Sequence, residues 1–387
     1  MPISEIAEVN PRLPSEVRRD EDKPVSFVAM ADVAEGGFVA AYQERSLRDV
    51  VKGYTYFRRG DVLSAKITPC MQNGKAAETD AMPHGIGFGS TEFHVLRPGP
   101  QVAGRYLFHM IWSPYYRRSA ERSFTGTAGQ QRVPTDFFDR FKIPLPSLPK
   151  QKRIATILDK ADALRRKRQQ SLQLTGRFLH STFLDMFGDP VTNPKGWPLK
   201  RLDEIAVITT GNTPPRREPR HYGDAIEWIK SDNINTPFHF LTEATEYLSD
   251  EGRKIGRVAP AGATLVTCIA GSPECIGNVA LADREVAFNQ QINSVAPNTG
   301  TAPYFLYTQL LVGKRLVQRG STESTKGMVS KGRLSEVQVM CPVRHLQERF
   351  GKFFLRQHDA SERMQIASNR EESLFNSLVQ RAFRGEL

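Results

Sequence analysis

A chain of 387 residues, 39% hydrophobic and 25% charged, has the length for two or three domains with separate cores, and its composition excludes wholesale disorder. Its 53 Lys and Arg against 42 Asp and Glu leave a net charge of +11, which calls for a polyanionic partner, nucleic acid first. No run approaches ~20 apolar residues, and the opening "MPISEIAEVNPRLPSE" lacks the basic and apolar regions of a signal peptide, so a cytoplasmic protein without membrane contact is expected.

Taken in order, the chain reads as one plan written twice. "ISEIAEVNPRLP" from Ile3 matches "LDEIAVITTGNTP" from Leu202, and "FVAMADV" from Phe27 answers "WIKSDNI" from Trp228. "GDVLSAKI" from Gly60 answers "GATLVTCI" from Gly262, and "FGSTEFHVLRP" from Phe88 answers "FNQQINSVAPN" from Phe288. "YLFHMI" from Tyr106 parallels "YFLYTQ" from Tyr304, and proline junctions at Pro144 and Pro342 close the series. Shared order at offsets close to 200 makes this a tandem duplication. Each copy carries short β-like runs, Val25–Met30, Val62–Ile67 and Phe93–Leu96 in the first, Thr264–Ile269 and Val337–Met340 in the second, separated by "QNGK", "RPGP", "TGNTPP" and "APAGA".

A long helix then closes each copy, over Lys150–Phe187 and Leu346–Arg384, each without proline and with a single glycine and each reaching roughly 55 Å. In the second, Phe353, Ala360, Met364, Ala367, Leu374, Leu378 and Ala382 fall at three-four spacing and predict a coiled-coil seam. Ile154, Ile157, Leu158, Ala161, Leu164 and Leu172, followed by Phe178, Leu179, Phe183 and Met186, make a less regular stripe on the first. The expectation is that the helices pair with each other, antiparallel, and hold a globular head at either end of a rod about a pseudo-twofold axis. The fold class predicted is α+β, two similar α/β domains separated by two long antiparallel helices. Residues 1–149 form the first domain, 150–188 the first long helix, 189–345 the second domain and 346–387 the second long helix.

No complete active site is visible. GxxxxGK[ST], HExxH and GxSxG are absent, and "HGIGFG" at His84–Gly89 reads as a flexible turn. "GNTPPR" at Gly211–Arg216 is a partial likeness to the Asn-Pro-Pro-aromatic signature of amino-methyltransferases, interrupted by Thr213 and lacking the aromatic. His94, His109, His221 and His345 stand alone, and Cys70, Cys268, Cys275 and Cys341 show no metal-ligand spacing and are expected reduced and buried. No metal and no cofactor are expected.

The polar clusters suit DNA. In the first copy they are Lys66, Asn73 and Lys75, then Arg117, Arg118 and Arg122 beside Tyr115 and Tyr116, and Gln130, Gln131 and Arg132 on a glycine-containing loop. In the second they are Arg216, Arg217 and Arg220 on a proline-stiffened loop, Lys230, the run Asn289, Gln290 and Gln291, and Lys326, Lys331 and Arg333. Arginine and glutamine can form bidentate bonds with guanine and adenine edges, and lysines suit phosphates. "RRKRQQ", Arg165–Gln170, spreads around its helix and is expected to be solvated rod surface or a phosphate rail.

The chain resembles the specificity (S) subunits of type I restriction-modification systems. "IPLPSLPKQKRIATILDKAD", "FLDMFGDPVTNPKGWPLKRLDEIA", "GQQRV", "YGDAIEWIKSDNI" and "SLVQRAFRGEL" carry the likeness in the family's order; "CPVRHLQERF" is a divergent version of the first junction. The resemblance implies two target-recognition domains, each reading half of a split double-stranded DNA sequence. It also implies a subunit that is not itself catalytic, assembling with two methyltransferase (M) subunits that use S-adenosylmethionine and two ATP-dependent restriction (R) subunits. A non-catalytic coiled-coil scaffold and a divergent DNA methyltransferase or nuclease are the alternatives.

Overall fold

The duplication is repeated in the two four-stranded sheets of each unit in the computed structural model, which describes residues 1–127, 129–321 and 327–387 (for Arg19 the backbone alone). Two units result, Met1–Gln169 with Ile366–Leu387, and Gln170–Gln365.

In the first unit the strands are β1 (Ala7–Val9), β2 (Pro24–Val28), β3 (Val33–Ala34), β4 (Phe38–Val39), β5 (Gln43–Ser46), β6 (Thr55–Arg58), β7 (Val62–Ala65), β8 (Ala76–Glu78), β9 (Ile86–Gly89) and β10 (Phe93–Pro98). One sheet has the order β1-β10-β7-β8 and the other β5-β2-β9-β6, with β2 and β9 parallel and the remaining neighbours antiparallel. The second unit contains β11 (Leu199–Arg201), β12 (Ala206–Thr210), β13 (Tyr222–Ile229), β14 (Tyr247–Leu248), β15 (Val258–Ala259), β16 (Thr264–Thr267), β17 (Val279–Leu281), β18 (Val286–Phe288), β19 (Ile292–Pro297) and β20 (Gln338–Met340). Its sheets, β12-β19-β16-β17 and β14-β13-β18-β15, copy that topology down to the parallel β13/β18 pair.

Local chemistry explains the matching geometry. Gly60 and Gly262 turn the chain into β7 and β16 with φ of +88° and +86°, a region that a side chain disfavours. β7 and β16 are buried on both faces, hence their near-continuous small and apolar runs "VLSA" and "TLVT". The stretch read as a flexible turn, "HGIGFG", instead supplies β9, the parallel neighbour of β2. Its glycine serves packing: a Cβ on Gly87 would lie 2.3 Å from the ring of Phe57. The structure also shifts three of the matched segments: Ser90 and Asn289 are the equivalent pair, their amides bonding Val28 O and Ile229 O, and Ala103 pairs with Ala302 at the starts of helices Gly104–Trp112 and Pro303–Val312. The offset there is therefore 199, and Tyr106 answers Phe305; the junction prolines are Pro146 and Pro342.

The long helices span Leu148–Phe187 and Arg344–Arg384, each beginning two residues before the expected start. A glutamine docks each one to its own globular part. Gln151 accepts from Ala103 N at 2.9 Å and donates to Gln101 O at 2.9 Å and Pro146 O at 2.8 Å. Gln347, 196 residues later, accepts from Ala302 N at 3.0 Å and donates to Pro342 O at 2.7 Å. The junction is built twice because each glutamine caps the free N-terminus of a domain helix, a group that would otherwise be buried unpaired.

Within each unit the two helices pair antiparallel. In the first, Arg165 reaches Glu372 at 3.0 Å and Arg168 reaches Glu371 at 3.0 Å, while Ile154, Leu158, Phe375, Val379 and Ala382 share one core. In the second, Gln357 Nε2 donates to Thr175 O at 2.9 Å, Phe178 meets Phe353 with ring centroids 5.5 Å apart, and Leu179, Phe183, Phe350 and Phe354 are buried together. The seam differs from its expected register. Leu164 and Leu374 are exposed (55% and 58%), Ile157, Leu172, Phe353, Met364 and Leu378 are part-buried, and Ile154 and Leu158 are buried as expected. On the second helix the three-four series runs Gln347, Phe350, Phe354, Gln357, Ser361, Met364, Ser368, Glu371, Phe375, Leu378, Ala382. Polar residues occupy its middle, so an apolar pattern alone slips to Ala360, Ala367 and Leu374. "RRKRQQ" is only partly exposed surface: Lys167, Gln169 and Gln170 are exposed, but Arg165 and Arg168 are seam residues, and Arg166 bonds Asp162 at 2.6 Å and Gly36 O.

Candidate nucleic-acid interface

Corresponding loops converge beyond the same strand ends in each unit. In the first, Lys66 follows β7; its amide bonds Glu92 O and its carbonyl accepts from Val133 N, both at 2.9 Å. Thr68 N bonds Gln131 O at 3.0 Å, which brings the 66–75 loop beside the hairpin of Thr125 and Arg132. Lys75 Nζ donates to Met30 O at 3.1 Å, Asn73 Nδ2 to Glu35 at 2.8 Å and Arg117 to Gln72 O at 3.2 Å. Lys66, Asn73, Lys75, Arg117, Gln130, Gln131 and Arg132 are thus gathered at one end. Arg132 is engaged, its fork bonding both oxygens of Glu92 at 2.9 Å and holding that carboxyl below its usual range. Arg118 and Arg122 lie apart: Arg122 is exposed at the end of helix Pro114–Glu121, and Arg118 lines a cleft of ≈ 560 Å³ with Tyr115, Lys142 and Phe383.

In the second unit Cys268 and Ile269 donate to Gln291 O at 2.8 and 3.1 Å, repeating the Lys66–Glu92 contact. The chemistry at that point differs. Gln291 Oε1 accepts from Ser231 at 3.1 Å and from Asn289 at 3.2 Å, and Thr213 donates to Gln290 Oε1. Asn289 is buried and bonded within the turn and Gln291 is part-buried, so of the run expected to face a ligand Gln290 alone is exposed. Lys230 and Arg216 both pair with Glu246, Arg216 at 2.8 Å, and hold its carboxyl below the usual range. Arg220 bonds Glu218 at 2.8 Å, and Arg217 is exposed beside it. Lys331 and Arg333 start the short helix Lys331–Ser335, where Arg333 donates to Gly320 O at 3.0 Å. Lys326 lies outside the described residues.

The family described as "Type I restriction modification DNA specificity domain" matches residues 1–174 and again 194–370. The chain belongs to this family. It is 40% identical over 156 residues to the EcoAI specificity subunit of Escherichia coli (39% of this chain, 26% of that protein). It is 41% identical over 160 residues to the EcoEI specificity subunit of the same organism (41% and 26%). The chain thus spans about a quarter of the length of these two relatives. Among solved structures it is similar to the type I S subunit of M. genitalium (14% identity, TM-score 0.59, covering 99% of this chain and 95% of that one). It is also similar to a chain from work on complex assembly and conformational transition of the type I R-M system (19%, 0.61, 100% and 97%). Both likenesses are of fold.

For a member of this family the free charge matters more than the total, and sequence reasoning missed the acids that consume it. Glu92 and Glu246 lie 40 and 30 residues from Arg132 and Arg216, while Glu218 stands two residues before the Arg220 that it holds. The "GNTPPR" segment is structural: Asn212 accepts from Arg257 N at 2.7 Å and donates to Ile255 O at 2.9 Å. Of the lone histidines, His94, His109 and His221 are buried and His345 is exposed. All four cysteines are free, but only Cys268 is buried, which pushes its thiol up to about 11; the others are partly exposed. Among the described residues, no helix is long and apolar enough to cross a membrane.

Proposed function

We propose that this chain is the DNA sequence-specificity subunit of a cytoplasmic type I restriction-modification complex. Residues 1–149 and 189–345 act as target-recognition domains, and the helices 150–188 and 346–387 join them. It performs no chemistry itself. It carries double-stranded DNA to two methyltransferase subunits that use S-adenosylmethionine and to two ATP-dependent restriction subunits. The observation that carries this reading is the paired loop cluster: one backbone frame, Lys66–Glu92 and Cys268–Gln291, dressed with different side chains in the two units. A duplicated frame with unlike polar residues fits a reader of two unlike half-sites.

The test is methylation mapping with the reconstituted methyltransferase complex. The motif should be bipartite and asymmetric, and exchanging residues 1–149 for those of a relative should change one half only. A continuous or palindromic motif, or a swap that alters both halves, overturns the proposal.

A further inference from the structure

One aromatic position carries a stacked arginine in both units. Phe27 and Trp228 are equivalent residues at the ends of β2 and β13. Over Phe27 the guanidinium of Arg45 lies 3.6 Å from the ring centroid, with Tyr54 edge-on to the same ring at 4.9 Å. Over Trp228 the guanidinium of Arg216 lies at 4.9 Å, and it also covers Tyr222 at 4.7 Å.

The two arginines come from unrelated places: Arg45 from β5, Arg216 from the loop before β13. Yet their tethers are equivalent. Gln43 lies opposite Phe27 and accepts from Arg45 at 2.9 Å. Glu246, whose carbonyl receives the Trp228 amide, holds Arg216 at 2.8 Å. Each tether also connects to the loop cluster. Gln43 bonds Asp32, which caps the turn whose Met30 carbonyl receives Lys75. Glu246 pairs with Lys230, beside the Ser231 that bonds Gln291.

We propose that Arg45 and Arg216 are matched base-reading residues, one per unit, each presenting its guanidinium edge to guanine O6 and N7; this rests on the DNA-reading role proposed above. Stacking fixes the guanidinium plane, and a hydrogen bond to Gln43 or an ion pair with Glu246 restrains its rotation, leaving further N–H groups of each fork without a bond among the described residues. Such fixing matters for a bidentate base contact, whereas a phosphate accepts any nearby cation. Arg216 is 55% exposed and Arg45 partly so, although both lie on aromatic rings.

The experiment uses the full chain with its methyltransferase subunits and compares Arg45→Lys and Arg216→Lys on targets substituted one base pair at a time. Lysine keeps the charge and removes the fork. Arg45→Lys should reduce discrimination on the order of 10- to 100-fold at one G·C pair in one half-site, and Arg216→Lys likewise in the other. Uniform weakening across all targets, with the salt slope reduced by about 1, identifies phosphate contacts and overturns the inference. Wild-type discrimination in variants that melt normally overturns it too. Should the lysine variants fail to fold, Gln43→Met and Glu246→Gln loosen each arginine in place; unaltered discrimination in both refutes the idea. A wild-type complex without any methylation motif would fail the proposed function itself, a result separable from these.

Discussion

The seam register gives the sharpest mutational contrast, between adjacent residues on the second long helix. Phe375 is 5% exposed and lies 5.7 Å, centroid to centroid, from Trp112, with the Arg165 guanidinium 5.1 Å over its ring. Phe375→Ala removes a buried ring from a core that includes Ile154, Leu158 and Val379, and it uncovers the Arg165 guanidinium. Such truncations cost about 3–5 kcal/mol. For a unit of this size that corresponds to a melting point lower by roughly 10 °C. Leu374→Asp, one residue earlier, places a carboxylate on a side chain position that is 58% exposed, and should change stability by no more than about 0.5 kcal/mol. Thermal melts of the two variants followed by circular dichroism at 222 nm decide it. Equal destabilisation, or a silent Phe375→Ala, would refute the assigned register.

Two further outcomes follow from single side chains. Gln151→Ala and Gln347→Ala should each cost about 2 kcal/mol by leaving the Ala103 or Ala302 amide and a junction carbonyl without a partner; denaturant titration measures it, and a neutral effect in both removes the proposed reason for the repeated junction. His94 and His239 have pKa values lowered from 6.5 to about 4, first by burial, so both stay neutral in the fold. Their stabilisation is complete above pH 6.5 and is lost as pH falls towards 4, by about 3 kcal/mol each, so unfolding midpoints at pH 7.5 and 5 should differ and a flat profile would contradict the assignment.

Much of this fold could be read from sequence because duplication prints its own evidence. The glycines ahead of β7 and β16, the apolar buried strands and the proline-free helices each leave a local signal. Registers were harder. Ser90–Asn289 and Ala103–Ala302 are set by hydrogen bonds from their amides to the carbonyls of Val28 and Ile229 and the side chains of Gln151 and Gln347, partners that lie up to 62 residues away and leave no mark in the local residue pattern. The helix seam slipped by one residue because Gln357, Ser361, Ser368 and Glu371 fill positions where a coiled coil usually carries apolar side chains. At the candidate interface, residue type located the loops, but not which charges are spent. Arg132 and Arg216 look free in sequence and are held by Glu92 and Glu246; Arg45 sits in "AYQERSLRD", an ordinary charged stretch until Phe27 is placed beneath it.

The pattern of what the two halves share bears on how such a protein changes. The shared features are interior ones: sheet order, the turns at Gly60 and Gly262, and the docking glutamines. The unlike features sit where the strands hand over to loops, and even there the backbone bonds are kept while the side chains differ, Glu92 with Arg132 against Gln291 with Ser231. Substitution at such positions leaves the core and both helix junctions untouched, and most exposed changes of this kind alter stability by only a few tenths of a kcal/mol. On the proposed function, a reader built this way can acquire a new half-site without risking its fold. The arginine on the shared aromatic position illustrates the route: two different segments, β5 in one unit and a proline-rich loop in the other, deliver the same group to equivalent rings, so the ring and its tether constrain the solution while the sequence that supplies the arginine stays free to vary.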